Sequence, residues 1–440
     1  MEDQPRRGRW GAGQDCRKVA AVDRGAAVRL KLTPHEEDTM KRLSFTLETI
    51  TPLFLAGNDQ DAVELRAASL RGQLRYWYRA LLGGLGVTQS SRLHELESQV
   101  FGEEKRGSPL LVRVKDIRWA GGRIKENKEL DLGYDKAKRE TRRPGLTYLL
   151  YSTQLGGNQR PYADVGTTFT LEFVSFDKEA EKVLKRASCA LWCWTHLGGL
   201  GTRARRGGGN IQVREVRDEA NVLKDFPDFT LTGVNSPEAL KAHLETGLKN
   251  IRDLVARLSE LTPGAVNSRA DFPILHPDHA DIWIVQTTWN GSLEAMEQAG
   301  KKFQQFRYKR GPDFPSVLDE YLNAGRSPTL ERPAFGLPLQ FRYRSAPDKQ
   351  AMVETEHFTR RASPLLLRFL KLGDGRIALV LIRFRSSFLP SGERLKIKDQ
   401  SKGAKQRPQF TSPPAATVRQ SVIEQFRNQF GGYLDVRSWL

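Results

Sequence analysis

Hydrophobic periodicity along the 440-residue chain predicts an α+β protein of two tandem ferredoxin-like domains with insertions. Two observations carry this. Residues 41–217 read as strand, helix, two or more strands, helix, strand, the order of a β-α-β-β-α-β motif with inserted loops. Residues 237–430 read as helix, strand, helix, hairpin and helix, an order into which a second, more degenerate unit fits. The expected organisation is a poorly structured arm over 1–40, an N-terminal domain over 41–230 and a C-terminal domain over 231–440.

The arm mixes Arg6, Arg7, Arg9, Arg17 and Lys18 with Glu36, Glu37 and Asp38, has frequent glycines and shows no sustained period. Leu43, Phe45 and Leu47 alternate with polar residues in a first strand that Thr51-Pro52 ends. Ser69 to Leu82 reads as helix, because Leu70, Leu74, Trp77 and Leu81 share one face and Gly83-Gly84 stops it. Pro109 to Trp119 reads as strand and Tyr148 to Tyr151 as a short further one, with a charged insertion over 120–143. Thr167 to Phe176 alternates as a strand, Lys178 to His196 reads as helix, and Asn210 to Arg217 as strand. In the second half, Pro237 to Leu258 and Leu293 to Phe306 read as helices and Asp281 to Trp289 as strand. Pro364 to Leu372 and Arg376 to Phe384 flank Gly373-Asp374-Gly375 as a hairpin. Residues 391–416, with Lys396, Lys398, Lys402, Lys405 and Arg407 among prolines and glycines, read as a long mobile loop, and Thr417 to Phe430 as a last amphipathic helix.

Lysine and arginine number 70 against 52 aspartates and glutamates, a net charge of +18 spread through the chain. That excess favours a polyanionic partner such as RNA, DNA, an anionic lipid surface or an acidic protein. No run approaches the roughly 20 apolar residues of a membrane-spanning helix. Three cysteines cannot build a disulfide framework, and no apolar signal core opens the chain, so the expected compartment is cytoplasmic.

The strongest local feature is the segment 198–209, in which six of twelve residues are glycine and three are arginine. Gly199, Gly201 and Gly207 permit close backbone approach, and exposed amides with the Arg203, Arg205 and Arg206 guanidinium forks suit phosphate oxygens. The segment lacks the Gly-Lys-Ser/Thr ending of a nucleotide-triphosphate loop and follows a helix, unlike a dinucleotide fingerprint. A flexible basic connection without a ligand is the alternative. On the first helix Arg71, Arg75 and Arg79 form a basic stripe preceded by Arg66, with Tyr76, Trp77 and Tyr78 beside it. Arginines there suit phosphates and an aromatic suits a base, although Trp77 falls on the core face. Arg332, Arg342, Arg344, Arg360 and Arg361 are secondary RNA or protein contacts; Arg383 and Arg385 share a strand face.

Two other constellations are weaker. Asp59, Asp61 and Glu64 could place Mg²⁺ for phosphodiester cleavage, but such spacing is common in plain loops. Cys189, Cys193 and His196 lie on one helical face and suit three zinc ligands, yet the helix is apolar nearly all round and buried cysteines fit it better. No serine or cysteine hydrolase pattern is present, and no cofactor is indicated.

Residues 51–57 (Thr-Pro-Leu-Phe-Leu-Ala-Gly) followed by 64–81 (Glu-Leu-Arg-Ala-Ala-Ser-Leu-Arg-Gly-Gln-Leu-Arg-Tyr-Trp-Tyr-Arg-Ala-Leu) resemble the RAMP proteins of CRISPR–Cas systems. More narrowly they resemble the first-numbered Cmr subunit of type III-B effector complexes, as do the 196–207 loop and the segments Phe335-Gly336-Leu337-Pro338 and 360–365. The resemblance spans roughly 40–385 and implies two fused RRM-like RAMP domains. It implies a non-catalytic RNA-binding cap on the 3′ portion of the CRISPR RNA that helps capture target RNA. It implies RAMP subunits as neighbours, the sixth-numbered Cmr subunit and the repeated backbone subunit, and no membrane. The family's arginine-bearing helix and glycine-rich loop fall on Arg66, Arg71, Arg75, Arg79, Arg203, Arg205 and Arg206. The alternatives are a metal-dependent endoribonuclease using Asp59 or Asp61, and a protein-only scaffold.

Overall fold

A strand opens the described chain because Leu43, Phe45 and Leu47 are fully buried while Arg42, Ser44, Thr46 and Glu48 between them are not, the period-2 pattern of a sheet with one covered face. The computed structural model describes residues 40–59, 61–135, 137, 140–154, 159–266, 271–309, 313–325, 328, 330–343, 345–358, 360–401, 410–411 and 421–439. The expected arm over 1–40 lies, but for Met40, outside them.

The fold is mixed α+β. Strand β1 (Lys41–Thr49) is followed by helices α1 (Ala67–Gly84) and α2 (Ser90–Phe101), strand β2 (Leu111–Arg118), helix α3 (Pro144–Leu150), strand β3 (Thr168–Ser175), helix α4 (Ala180–Leu197) and strand β4 (Ile211–Arg217). These strands form one antiparallel sheet in the order β2-β3-β1-β4, with Phe45 opposite Leu171 and Leu47 opposite Val213. Helix α5 (Pro237–Leu258) begins on Ser236, whose hydroxyl accepts the Ala239 amide, with proline in the first turn.

The second half repeats the arrangement. Strand β5 (Ala280–Trp289) and helix α6 (Ser292–Lys309) precede strands β6 (Leu339–Arg342), β7 (Gln350–Thr355), β8 (Leu365–Lys371), β9 (Ile377–Phe384) and β10 (Leu395–Asp399), helix α7 (Val422–Arg427) and strand β11 (Tyr433–Asp435). The sheet order is β8-β9-β5-β11, so its strands occupy the same relative places as those of the first sheet. Every residue of β9 is buried, as expected for a strand covered on both faces. A third sheet places β10, β7 and β6 side by side, with the two-residue strand Phe410–Thr411 at its edge.

Three expectations are corrected. Tyr148 to Tyr151 ends a helix and enters a 3-10 turn instead of forming a strand: Pro144 pre-organises the first helical turn, and Leu146, Leu149 and Leu150 bury one face. Within 391–416, residues 395–399 form β10, since Leu395 and Ile397 alternate into the core while Lys396 and Lys398 face outward; 402–409 and 412–416 lie outside the described residues. The last helix is shorter than 417–430, running over Val422–Arg427 with a 3-10 turn to Phe430. Helix α2 and strands β7 and β11 were not expected.

The hydrophobic core is continuous across the halves. Leu70, Leu74, Trp77 and Trp192 share one cluster with Ile282, Leu370, Val380 and Trp439. No helix among the described residues is long and apolar enough to cross a membrane.

Candidate nucleic-acid interface

Helix α1 turns Leu70, Leu74, Trp77, Tyr78 and Leu81 inward, which leaves Arg71, Arg75 and Arg79 along its outer edge. Helix α2 lies beside that edge and supplies acceptors. Arg75 Nε stands 2.9 Å from Glu97 Oε1 and Arg79 Nε 3.4 Å from Glu97 Oε2. Arg71 donates to the Phe101 carbonyl at 2.5 Å and Arg75 to that of Gly102. Glu97 is only 6% exposed, so two cations are paired with one buried acidic side chain. Arg66, at the N-terminus of α1, is exposed beside Glu64 at 3.7 Å. Arg75, Tyr76 and Arg79 line one wall of a cleft of about 650 Å³, whose other residues include Glu97, Glu103, Glu104 and Pro273. This cleft is therefore mixed in charge.

The glycine-rich segment is a folded loop. Gly201 and Gly207 have φ of +76° and +81°; a Cβ at Gly201 would stand 2.3 Å from the Phe54 carbonyl oxygen, and one at Gly207 2.4 Å from the Phe369 ring. Gly199 packs against Asn210 and Ala204. The amides of Leu200, Thr202, Arg206, Gly208 and Gly209 donate to carbonyls of the loop, Pro52 and Phe54. These five amides are thus not open to a phosphate, contrary to expectation, because the loop folds back on the end of β1.

Its arginines diverge. Arg205 donates to the Ser363 carbonyl at 2.5 Å and to Tyr76 Oη at 3.4 Å. Arg203 Nε donates to the Leu149 carbonyl at 2.6 Å, and Arg206 Nη2 to that of Phe335 at 2.7 Å, on the side of α3 and α6. Arg205 reaches a second cleft, of about 310 Å³, lined also by Arg360, Arg361, Phe358, Phe388 and Asp271. Pro273 borders both clefts, so they adjoin. Arg361 is anchored by the carbonyls of Phe388, Ser387 and Ala362, and burial, with Arg205 beside it, pulls its guanidinium down to about 10, still charged at neutral pH. Arg360 is exposed and forms no hydrogen bond or ion pair with another described residue. Phe358 is 56% exposed at the rim.

Arg342 is elsewhere. It pairs with Gln350 at the far end of β7 from Thr355, the β7 residue that lines the second cleft, about 17 Å along the strand. Arg344 lies outside the described residues. Arg383 and Arg385 are bound to Asp281, a structural use. Asp59 accepts the Asp61 amide in a local turn at 2.8 Å, and no metal-holding group of three or more histidine, cysteine, aspartate or glutamate residues occurs among the described residues. Cys189 and Cys193 are buried, and burial pushes both thiols up. His196 meets His243 of α5 at 3.1 Å between Nε2 atoms and stacks on Trp192, a pairing that no local spacing signals.

Residues 46–212 match the RAMP superfamily. A Pyrococcus furiosus protein, CRISPR system Cmr subunit Cmr1-2, is 33% identical over 187 residues, 40% of this chain and 96% of the relative. The chain belongs to the Cmr1 family, the RAMP-superfamily subunits of type III-B CRISPR Cmr complexes. A second Cmr1 relative, CRISPR system Cmr subunit Cmr1-1 of the same organism, is 26% identical over 361 residues, 81% of this chain and 91% of the relative. The crystal structure of apo Cmr1 from P. furiosus shares the fold, with a TM-score of 0.58 at 20% identity over 91% of this chain and 99% of that one.

Proposed function

We propose that this chain is a non-catalytic RNA-binding subunit of a type III-B Cmr effector complex, cytoplasmic, holding the 3′ portion of the CRISPR RNA and helping to capture target RNA. Its halves act as tandem ferredoxin-like RAMP domains that meet near residue 230, preceded by the arm 1–40. Its neighbours are other RAMP subunits, the sixth-numbered Cmr subunit and the backbone subunit. Family membership supports this assembly; the Cmr1 relatives are themselves subunits of a CRISPR system.

The observation that carries the RNA reading is the second cleft. Arg205, Arg360 and Arg361, far apart in sequence, line one opening with an exposed phenylalanine at its rim. Guanidinium forks suit phosphate oxygens, and a free ring face suits a base of single-stranded RNA without sequence preference. The adjoining cleft continues this path past Tyr76 to Arg79, with Arg71, Arg75 and Arg66 along the helix; Arg342 is a separate outlying contact.

Fluorescence anisotropy with a single-stranded RNA oligonucleotide at two salt concentrations tests this. Arg360→Ala is expected to weaken binding about tenfold and to flatten the salt slope by about 0.7. Phe358→Ala is expected to weaken binding with the slope unchanged. RNA affinity indifferent to both substitutions would favour the scaffold reading, and cleavage of the oligonucleotide in Mg²⁺ would favour the nuclease.

A further inference from the structure

Four arginines gather on the opposite side of the glycine-rich loop from Arg205. Helices α3 and α6 cross there at Gly145 and Gly300, where a Cβ on Gly300 would stand 2.1 Å from the Gly145 carbonyl oxygen. That crossing brings Tyr148 of α3 against Phe303 of α6, ring centroids 5.7 Å apart. Arg206 and Arg307 both stand on the Phe303 ring, at 4.7 and 5.8 Å. Arg307 donates to Tyr148 Oη at 2.6 Å, and Arg203 binds the carbonyl of the next residue, Leu149. Arg332 stacks on Phe314 at 4.6 Å, three residues before Phe335, whose carbonyl holds Arg206.

What distinguishes this group is the lack of compensation. None of the four forms an ion pair with a described carboxylate. Asp313, which faces Arg332, gives its two oxygens to the amides of Glu331 and Arg332. Buried N–H groups are left without a protein acceptor: Arg206 Nη1, Arg307 Nε, and Arg332 Nε and Nη1. Burial together with the neighbouring guanidinium of Arg307 pulls Arg206 down to about 9 and Arg332 to about 10, both still protonated at neutral pH. Like charges held together with unused donors are costly unless an anion joins them. Ring faces flank the guanidiniums, whose planar forks suit two-point recognition of a phosphate.

We propose that Arg203, Arg206, Arg307 and Arg332 form a second anion site, distinct from the two clefts, that takes a phosphate group of the RNA chain. The proposal rests on the RNA reading above and adds a contact that positions the backbone on the α3–α6 side of the loop.

The test uses the full chain carrying Arg307→Gln or Arg332→Gln, with Arg307→Lys as the variant that keeps the charge and loses the fork. Thermal unfolding is followed with and without inorganic pyrophosphate, and RNA binding is measured at two salt concentrations. Each glutamine variant is expected to melt higher than the parent without ligand and to lose pyrophosphate stabilisation. It should bind RNA about tenfold more weakly, with a salt slope reduced by about 0.7; Arg307→Lys should keep the salt slope and lose part of the affinity, since an ammonium holds the charge without the planar fork. A lower melting temperature with RNA and pyrophosphate binding unchanged would overturn the site and leave purely structural arginines. Loss of pyrophosphate stabilisation with RNA affinity intact would overturn RNA as the source of the phosphate. If Arg360→Ala is also without effect on RNA, the RNA reading itself fails.

Discussion

Two arginine groups of similar composition meet opposite fates in this fold. The stripe on α1 has an acidic neighbour, since α2 brings Glu97 beneath Arg75 and Arg79. The group around Phe303 meets aromatic rings and carbonyls and forms no ion pair with a described carboxylate. In the first, each cation stabilises a buried anion and is itself stabilised; in the second, each cation raises the cost of the others. The stripe is thus charge-balanced within the fold, whereas the group around Phe303 carries positive charge that no ion pair among the described residues offsets.

The sharpest way to test that division is a third kind of arginine. Arg368 is fully buried and donates to the carbonyls of Thr195 and Ile211, joining β8 to α4 and β4. Arg368→Ala removes those donors and opens a cavity, and urea unfolding is expected to show a loss of about 3 kcal/mol. Removing the two stripe cations that pair with Glu97, with Arg75→Ala and Arg79→Ala, orphans that carboxyl group. Because both arginines are partly solvated, the expected loss is smaller, about 2 kcal/mol, and Glu97→Gln in the same chain should recover most of it.

A buried neutral pair gives a pH-dependent contrast. Burial holds His196 and His243 below the ordinary imidazole range. As pH falls below about 6.5 the unfolded chain binds protons that the folded chain does not. Stability complete above that pH is therefore lost as pH falls, at up to about 1.4 kcal/mol per pH unit per histidine. His243→Gln should flatten the dependence between pH 7 and 5 in thermal melts. The smallest effect, opposite in sign, is expected at Arg307→Gln, a gain of about 0.5 kcal/mol in the free protein from relieved repulsion. A loss there would erase the distinction between the two groups.

The core face of α1 was legible in the sequence, since Leu70, Leu74, Trp77 and Leu81 repeat at helical spacing and all are buried. So was the hairpin of β8 and β9, from two apolar runs around Gly373-Asp374-Gly375. The short α3 helix was missed because seven residues give little periodicity, although Pro144 marked its start. In the candidate site, Arg205, Arg360 and Arg361 were each visible as basic residues, but their meeting across more than 150 residues was not. Arg307 went unnoticed because a lone arginine on an amphipathic helix looks like any solvated position.

The sequence by itself determined the order of most elements, the basic character and the family. These follow from local periodicity, composition and motif, which need no partner to be read. The tertiary structure alone decided which charges are neutralised. An ion pair or a buried hydrogen bond depends on which distant group the fold delivers to within a few ångströms, and the Arg75–Glu97 pair, the Arg206 bond to the Phe335 carbonyl and the His196–His243 contact all form through packing. The same packing turns Arg205 toward one side of its loop and Arg206 toward the other, so two adjacent residues of identical chemistry serve different surfaces.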